Sequence, residues 1–209
     1  MNTLTGYLRQ AGTALRFLVL ATLVLGLAYP LAVFGVGQVV APYQANGSII
    51  KDAAGAPTAS ALIAQARADD SGAQDPRWFH ARPSAVAWDP ASSSASNLGP
   101  NEPKLLEAVT ANRSAVAAAE GINVSEVPAD AVTASGSGLD PDISPEYARL
   151  QVARVAAAHG LDTDAVSSLV DRHTSGGVLA FLGQPSVNVT SLNLAVAAAS
   201  QASQPAQSE

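Results

Sequence analysis

The chain has no cysteine among its 209 residues. Disulfides, Cys-ligated zinc, thiolate catalysis and lipid attachment through an N-terminal cysteine are excluded, while the redox compartment is left open. Aromatic residues are scarce, at 5%, although hydrophobic residues reach 48%. Much of that share is alanine, so a core of Ala, Val and Leu buries little area per residue and supports a modest domain. Basic residues are also few: eleven Lys and Arg face seventeen Asp and Glu, for a formal net charge of −6. Nucleic-acid binding needs clustered cations to neutralise phosphate, and this balance argues against it. The histidines, His80, His159 and His173, are scattered without an H-x-x-x-H or H-E-x-x-H pair, so no zinc pattern is present. The length allows one domain or at most two.

What is present begins with one long apolar run. From Phe17 to Val40, "FLVLATLVLGLAYPLAVFGVGQVV", no residue is charged. As a helix it would span ~36 Å, enough for a hydrocarbon layer of about 30 Å. It is too long for the apolar part of a secretory signal, and a buried helix of a water-soluble protein is rarely apolar on all faces. Pro30 frees one backbone carbonyl near the middle, which neighbouring helices can cover. Gly26, Gly35 and Gly37 would let another helix approach closely. Arg9 and Arg16 precede the run, and every acidic residue follows it. Basic flanks stay cytoplasmic and long domains cross regardless of charge. The expected layout is a cytoplasmic N-terminus over 1–16, a transmembrane helix over 17–40, an extracytoplasmic domain over 41–198 and a disordered tail over 199–209.

The exported part reads as a small mixed α/β domain, α+β in class. Residues 51–75 read as loop or as a short helix with a polar end. Asp75–Pro90, "DPRWFHARPSAVAWDP", holds both tryptophans and suits an extended edge segment with its aromatics pinned to the core. Ala91–Pro103 is loop. A helix is expected from an Asn101 cap to Glu120, stopped by Gly121, with Leu105, Leu106, Val109 and Val116 as its apolar stripe. A second helix, capped by Ser144 with Pro145 in its first position, should run to His159 and stop at Gly160. A third should cover Asp164–His173. The alternation in "SVNVTSLNL" from Ser186 suits a strand.

Several chemistries are suggested and then weakened. "SGSGLDP", Ser135–Pro141, lacks the lysine and hydroxyl of a phosphate-binding P-loop, and Asp140 and Asp142 would repel a phosphate. "SIIK", Ser48–Lys51, matches the S-x-x-K nucleophile pattern, which makes an anchored serine hydrolase using Ser48 and Lys51 an alternative reading. Its partner motifs are missing, and a turn at Asn46-Gly47 entering a short strand explains the same residues. A triad of Ser135 or Ser137 with Asp140 and His173 has no G-x-S-x-G elbow behind it. Tyr147, Gln151 and Arg154 share one face of the second helix. Two readings of that face stand: a solvated surface, or a polar contact to a partner or to the "SGSGLDP" loop. An anchored adaptor for another membrane protein is a further alternative.

The ordered blocks "YPLAVFGVGQVVAPYQANGSII", "WFHARPSA", "SNLGPNEPKL", "VPADAVTASGSGLDPDISPEYARLQVARVAAAHGL" and "LGQPSVNVTSLNLAV" resemble the C subunit family (KdpC) of the bacterial potassium-importing P-type ATPase. The likeness covers roughly 16–195. The family's loop reads T-A-S-G-S-G-L-D-P-x-I-S-P, and Thr133–Pro145 match it with Asp142 at the variable place. The resemblance implies a non-catalytic subunit of an ATP-driven potassium importer. Its implied partners are a channel-like potassium subunit, a P-type ATP-hydrolysing subunit, a small single-span subunit and membrane lipid. It implies help in assembly, or service as a catalytic chaperone that raises the ATP affinity of the hydrolysing subunit. ATP is implied for the complex, with no cofactor assigned to this chain. Ser135, Gly136, Ser137, Gly138, Asp140, Pro141, Ser144 and Pro145 are expected to form a rigid joint or partner loop, together with Gln151 and Arg154. In that joint Gly136 and Gly138 should take unusual backbone angles, and Asp140 should bond the turn before Pro141.

Overall fold

A computed structural model describes residues 2–52, 54–65, 74–176 and 183–203. The chain divides into two compact units, Met1–Ile49 and Ile50–Glu209. The first is dominated by one continuous helical rod, α1 (Asn2–Leu23), a π turn (Val24–Ala28) and α2 (Tyr29–Val40). Thr3–Val40 is long and apolar enough to cross a membrane, and none of its most apolar window is buried in the protein. The rod starts well before residue 17, where the apolar run begins, because nothing between Asn2 and Arg16 breaks a helix. The π turn sits just before Pro30 for a physical reason. Proline has no N–H, and its ring crowds the carbonyl four residues back. Widening the ladder relieves this, and Tyr29 N–H donates to Val24 O, five residues back.

Pro42 begins the short helix α3 (Pro42–Ala45), and the chain then reverses. The chain turns back close to Gly37, where an added Cβ would make ordinary contact with Ala45 Cβ at 3.6 Å, so glycine is not required there. The side-chain amide of Asn46 bonds Gln38 at 3.0 Å and Pro42 O at 2.6 Å. Gly47 and Ser48 both take positive φ. The expected turn at Asn46-Gly47 is thus present, and it leads into β1 (Ile49–Lys51).

β1 pairs with β2 (Pro57–Ser60). Asp52 closes their turn by accepting from the N–H groups of Ala54 and Ala56, each at 2.9 Å. No helix lies between 51 and 65 among the described residues, so the short-helix option fails there; 66–73 lie outside them. α4 (Pro103–Glu120) ends at Gly121 in the left-handed region, as its sequence implies. Its N-cap is Glu102 and not Asn101, with Pro103 in the first turn. Val109 and Val116 pack against the core, but Leu106 points to solvent at 70% exposure.

β3 (Asp142–Ile143), β4 (Thr174–Ser175) and β5 (Ser186–Asn188) form a small antiparallel sheet in the order β3-β5-β4. Ile143 faces Val187 across one pair, and Thr174 faces Val187 across the other. The second predicted helix is two: α5 (Pro145–Leu150) and α6 (Val152–His159), separated at Gln151. There the N–H of Gln151 takes the nearer carbonyl of Ala148, at 3.1 Å, which tightens the turn. α7 (Thr163–His173) starts after an Asp162 cap, one residue earlier than expected. The strand expected from Ser186 stops at Asn188, and α8 (Val189–Ser203) follows at once. Val189, Leu192, Asn193 and Val196 are buried at helical spacing, and Asn188 Oδ1 accepts from Ser191 N–H at 3.0 Å. That cap and stripe outweigh the period-two pattern. α8 also runs through 199–203, where a disordered tail was expected; 204–209 lie outside the described residues.

The core gathers Ile143, Val155, Val166, Val170, Val187, Leu192 and Val196, all essentially sealed from solvent. Each such aliphatic side chain contributes about 1.5–3 kcal/mol. Ser144 ties the sheet to α5. Its Oγ accepts from Tyr147 N–H at 3.0 Å and donates to Asp130 Oδ1 at 2.9 Å, while its N–H donates to Asp130 Oδ2 at 2.7 Å. Ser144→Ala in the full-length protein should lower stability by about 0.5–2 kcal/mol, read as a drop in thermal midpoint. An unchanged midpoint would show that the cap is dispensable.

Candidate interaction site: the loop joint and its polar bracket

Within the stretch from Val132 to Pro145, Thr133, Ser135, Ser137, Gly138 and Asp140 bond to the segment 82–94. Ser84 Oγ donates to Gly138 O at 2.7 Å and accepts from Val86 and Trp88 N–H at 3.1 and 3.0 Å. Ser137 O accepts from Ser94 N–H and Ser93 Oγ, both at 3.0 Å. Ser135 N–H donates to Pro83 O at 3.1 Å, and Leu139 O accepts from Ala64 N–H at 2.7 Å. Arg82 reaches Asp140 Oδ2 at 3.1 Å, and Asp140 Oδ1 accepts from Asp142 N–H at 3.0 Å. The turn bond expected of Asp140 before Pro141 is therefore present. Pro141 O accepts from Val189 N–H at 2.8 Å, which joins the loop to the start of α8.

Gly138 is required twice over. Its φ is +69°, and a Cβ on it would lie 2.6 Å from Val86 Cγ2 and 2.8 Å from the backbone oxygen of Ser94. Gly136 does not share this role. Its φ is not positive, and a Cβ there would meet nothing within 4 Å. The expectation of unusual angles at both glycines holds for Gly138 alone. The neighbouring turn carries strain of its own, since Ala87 and Trp88 both have positive φ without being glycine. The Trp88 indole is held by donating to Arg82 O at 3.1 Å.

The polar face of α5 and α6 is neither a solvated surface nor a contact to this loop. Gln151 is fully buried. Its Oε1 accepts from His80 N–H at 2.6 Å, and its Nε2 donates to His80 O and Tyr147 O, both at 3.3 Å. Arg154 Nη2 also donates to Gln151 Oε1, at 2.7 Å. The same guanidinium reaches Pro76 O, Trp78 O at 2.9 Å and Glu120 Oε1 at 2.9 Å. Together these groups bracket the segment 76–80 against α6 and the end of α4. Phe79 enters the core there, fixed by Asn193 through both its N–H and its carbonyl, each at 2.9 Å. The expected extended segment is broken by turns at 76–78 and 85–88; Phe79 enters the core and Trp78 packs against it, whereas Trp88 stays outside that core.

Electrostatics follow from this burial. Desolvation, reinforced by the Arg154 charge, pushes His80 down from 6.5 to about 4, so its imidazole is neutral at ordinary pH. Burial raises Glu120 above the usual carboxylate range, opposed by Arg154. Asp142 is raised by burial and then by the Asp140 charge.

The hydrolytic readings find no support in this geometry. Ser48 lies before β1 in left-handed backbone and is 3% exposed, while Lys51 ends that strand. The S-x-x-K pattern needs one helical turn between serine and lysine, and no helix spans these residues. His173 Nδ1 contacts Leu169 O at 2.9 Å, Ser137 Oγ accepts from Leu139 N–H at 3.0 Å, and Asp140 serves Arg82. The imagined triad is not assembled. Arg82, Ser84, Asp130 and Glu120 escape the sequence reading, because each acts across more than ten residues and no short spacing marks it.

A family model described as KdpC, the c chain of K+-transporting ATPase, matches residues 11–198. Among similar curated proteins, the potassium-transporting ATPase KdpC subunit of Kineococcus radiotolerans is 54% identical over 94% of this chain and 97% of its own length. The protein of that name from Caulobacter vibrioides is 49% identical over 85% of this chain and 87% of its own. The one from Streptomyces coelicolor is 43% identical over 94% and 96%.

Two measurements test the joint. Gly138→Val forces left-handed backbone on a branched residue and overpacks the contact, at a cost of roughly 2–6 kcal/mol together. Gly136→Ala should stay within about 0.5 kcal/mol of the parent. Equal denaturation midpoints for the two variants would refute the distinction. The second concerns pH. Below its usual 6.5, His80 binds a proton in the unfolded chain but not, until about 4, in the folded one. Stability should therefore fall as pH drops from 6.5 through about 4, and His80→Gln should flatten that slope; identical slopes would exclude His80 as the cause.

Proposed function

Because the chain belongs to the KdpC family, the c chains of K+-transporting ATPases, we propose that it is a non-catalytic subunit that assists assembly and function of a potassium-importing complex. The observation that carries this reading is the family match over nearly the whole chain, joined to one apolar helical rod. Its partners in this proposal are a channel-like potassium subunit, a P-type ATP-hydrolysing subunit and a small single-span subunit. The rod crosses the cell membrane once, with the N-terminus cytoplasmic and the domain from Ile50 onward extracytoplasmic. Arg9 and Arg16 ahead of the apolar run, and the absence of any acid before Asp52, support that orientation.

In this orientation the domain does not meet cytoplasmic nucleotide. Gln151 and Arg154 are committed within the fold and leave no free pair for a phosphate chain. A catalytic-chaperone role, raising the ATP affinity of the hydrolysing subunit, then runs through the rod. From Thr3 to Val40 the rod is ~57 Å long at 1.5 Å per residue, against a hydrocarbon thickness of about 30 Å. It therefore reaches beyond the hydrocarbon layer and can carry a shift between two states. In spheroplasts making the whole complex, added protease should remove a C-terminal tag and spare an N-terminal one. The full chain should copurify with the potassium and ATP-hydrolysing subunits. A domain that resists protease until the cells are lysed, or a chain that purifies alone, would overturn the proposal.

A further inference from the structure

Beside the bracket lies a cleft of about 480 Å³ that neither the joint nor the fold explains. Its floor and walls come from Pro83, Trp88, Ala115, Val116 and Tyr147. A volume of this size suits a small molecule. α4 forms one side of the cleft yet fully buries only Ala117, so the space beneath it is not filled by the helix's own side chains. The polar groups at the cleft are unusual in one respect. Tyr147 is 3% exposed as a residue, but its hydroxyl is not sealed from solvent and bonds no described residue, so it is open to the cleft. A phenol that faces a cleft and is not engaged within the fold can donate to an occupant of that cleft. Burial, aided by the nearby Glu120 charge, pushes this phenol above its usual range, so it remains a donor.

The charge at the cleft narrows the ligand class. Glu120 lines it but is paired with Arg154 at 2.9 Å, and His80 is neutral. An anion would meet the Glu120 carboxylate, and a cation would compete with Arg154 for it. The apolar surfaces of Pro83, Trp88 and Val116 favour a ring. We propose that this cleft binds an uncharged, ring-bearing small molecule whose hydrogen-bond acceptor takes the Tyr147 hydroxyl and whose ring packs on Trp88, Pro83 and Val116.

The probe is 4-fluoroacetophenone, a neutral ring with one carbonyl acceptor, added to the full-length protein in lipid nanodiscs and followed by fluorine NMR line broadening. Wild type should show saturable broadening above that of empty nanodiscs. Tyr147→Phe should weaken it about three- to tenfold, the worth of one hydrogen bond. Ala115→Trp, at an exposed position of α4 on the cleft, should abolish it without disturbing the core. 4-Fluorobenzoate should not saturate. Broadening that never saturates, or that is equal in wild type and Ala115→Trp, overturns the site. Saturable binding unchanged in Tyr147→Phe overturns the ligand class, and if that variant does not fold, 4-fluoroethylbenzene binding as tightly as the ketone does so instead.

Discussion

Gln151 sits among the aliphatic side chains of the core with no surface left for water, and its amide must find every partner inside the protein. It finds them in the backbone of His80, seventy-one residues earlier in the chain, and in Tyr147 and Arg154. A buried amide left unpaired costs about 1–3 kcal/mol per group, against a whole-domain stability of roughly 5–15 kcal/mol. The path of the segment 76–80 is therefore not free. Once it lies along α6, Phe79 meets Asn193 and the core, and Arg82 and Ser84 arrive where the loop before α5 can use them. Arg154 extends the constraint to Glu120, so the end of α4 is held by the same group. Removing one member of such a buried ion pair typically costs about 3–5 kcal/mol, because the other charge is stranded.

The loop depends on that placement. Its residues form only the two-residue strand β3, so its order comes from side chains of another segment: Ser84 on Gly138, Ser93 on Ser137, Arg82 on Asp140. The close approach that makes these bonds short also excludes any side chain at Gly138. Rigidity and the glycine are one fact seen from two sides. A joint of this kind delivers the Ser144 cap and the start of α8 in a set relation.

The membrane rod obeys a different economy of contacts. Nothing in its own unit covers its apolar flank, and its single irregularity is the π turn imposed by Pro30. In hydrocarbon every backbone group must be satisfied locally, and the widened turn keeps the ladder closed by moving Tyr29 N–H onto Val24 O.

The amino-acid sequence alone determined the elements whose signals are local. These are the uncharged run from Phe17, the Gly121 stop of α4, the Ser144-Pro145 start of α5, the Gly160 stop and the turn bond of Asp140. Caps, glycines and apolar length act within a few residues, so they can be read in one dimension. The resemblance in the ordered blocks identified the family for the same reason. Tertiary structure decided the rest. Only the buried pairing of Gln151 with His80 explains why the face shared with Arg154 is internal. The positive φ of Gly138 and the proximity of Val86 and Ser94 separate it from Gly136, although both stand in the same Ser-Gly repeat. The alternation after Ser186 and the stripe through Val189, Leu192 and Val196 coexist in one stretch, and burial against the core selected the helix. In each case the deciding partner lies far away in the chain, and its free energy appears only when the fold brings it within a few ångströms.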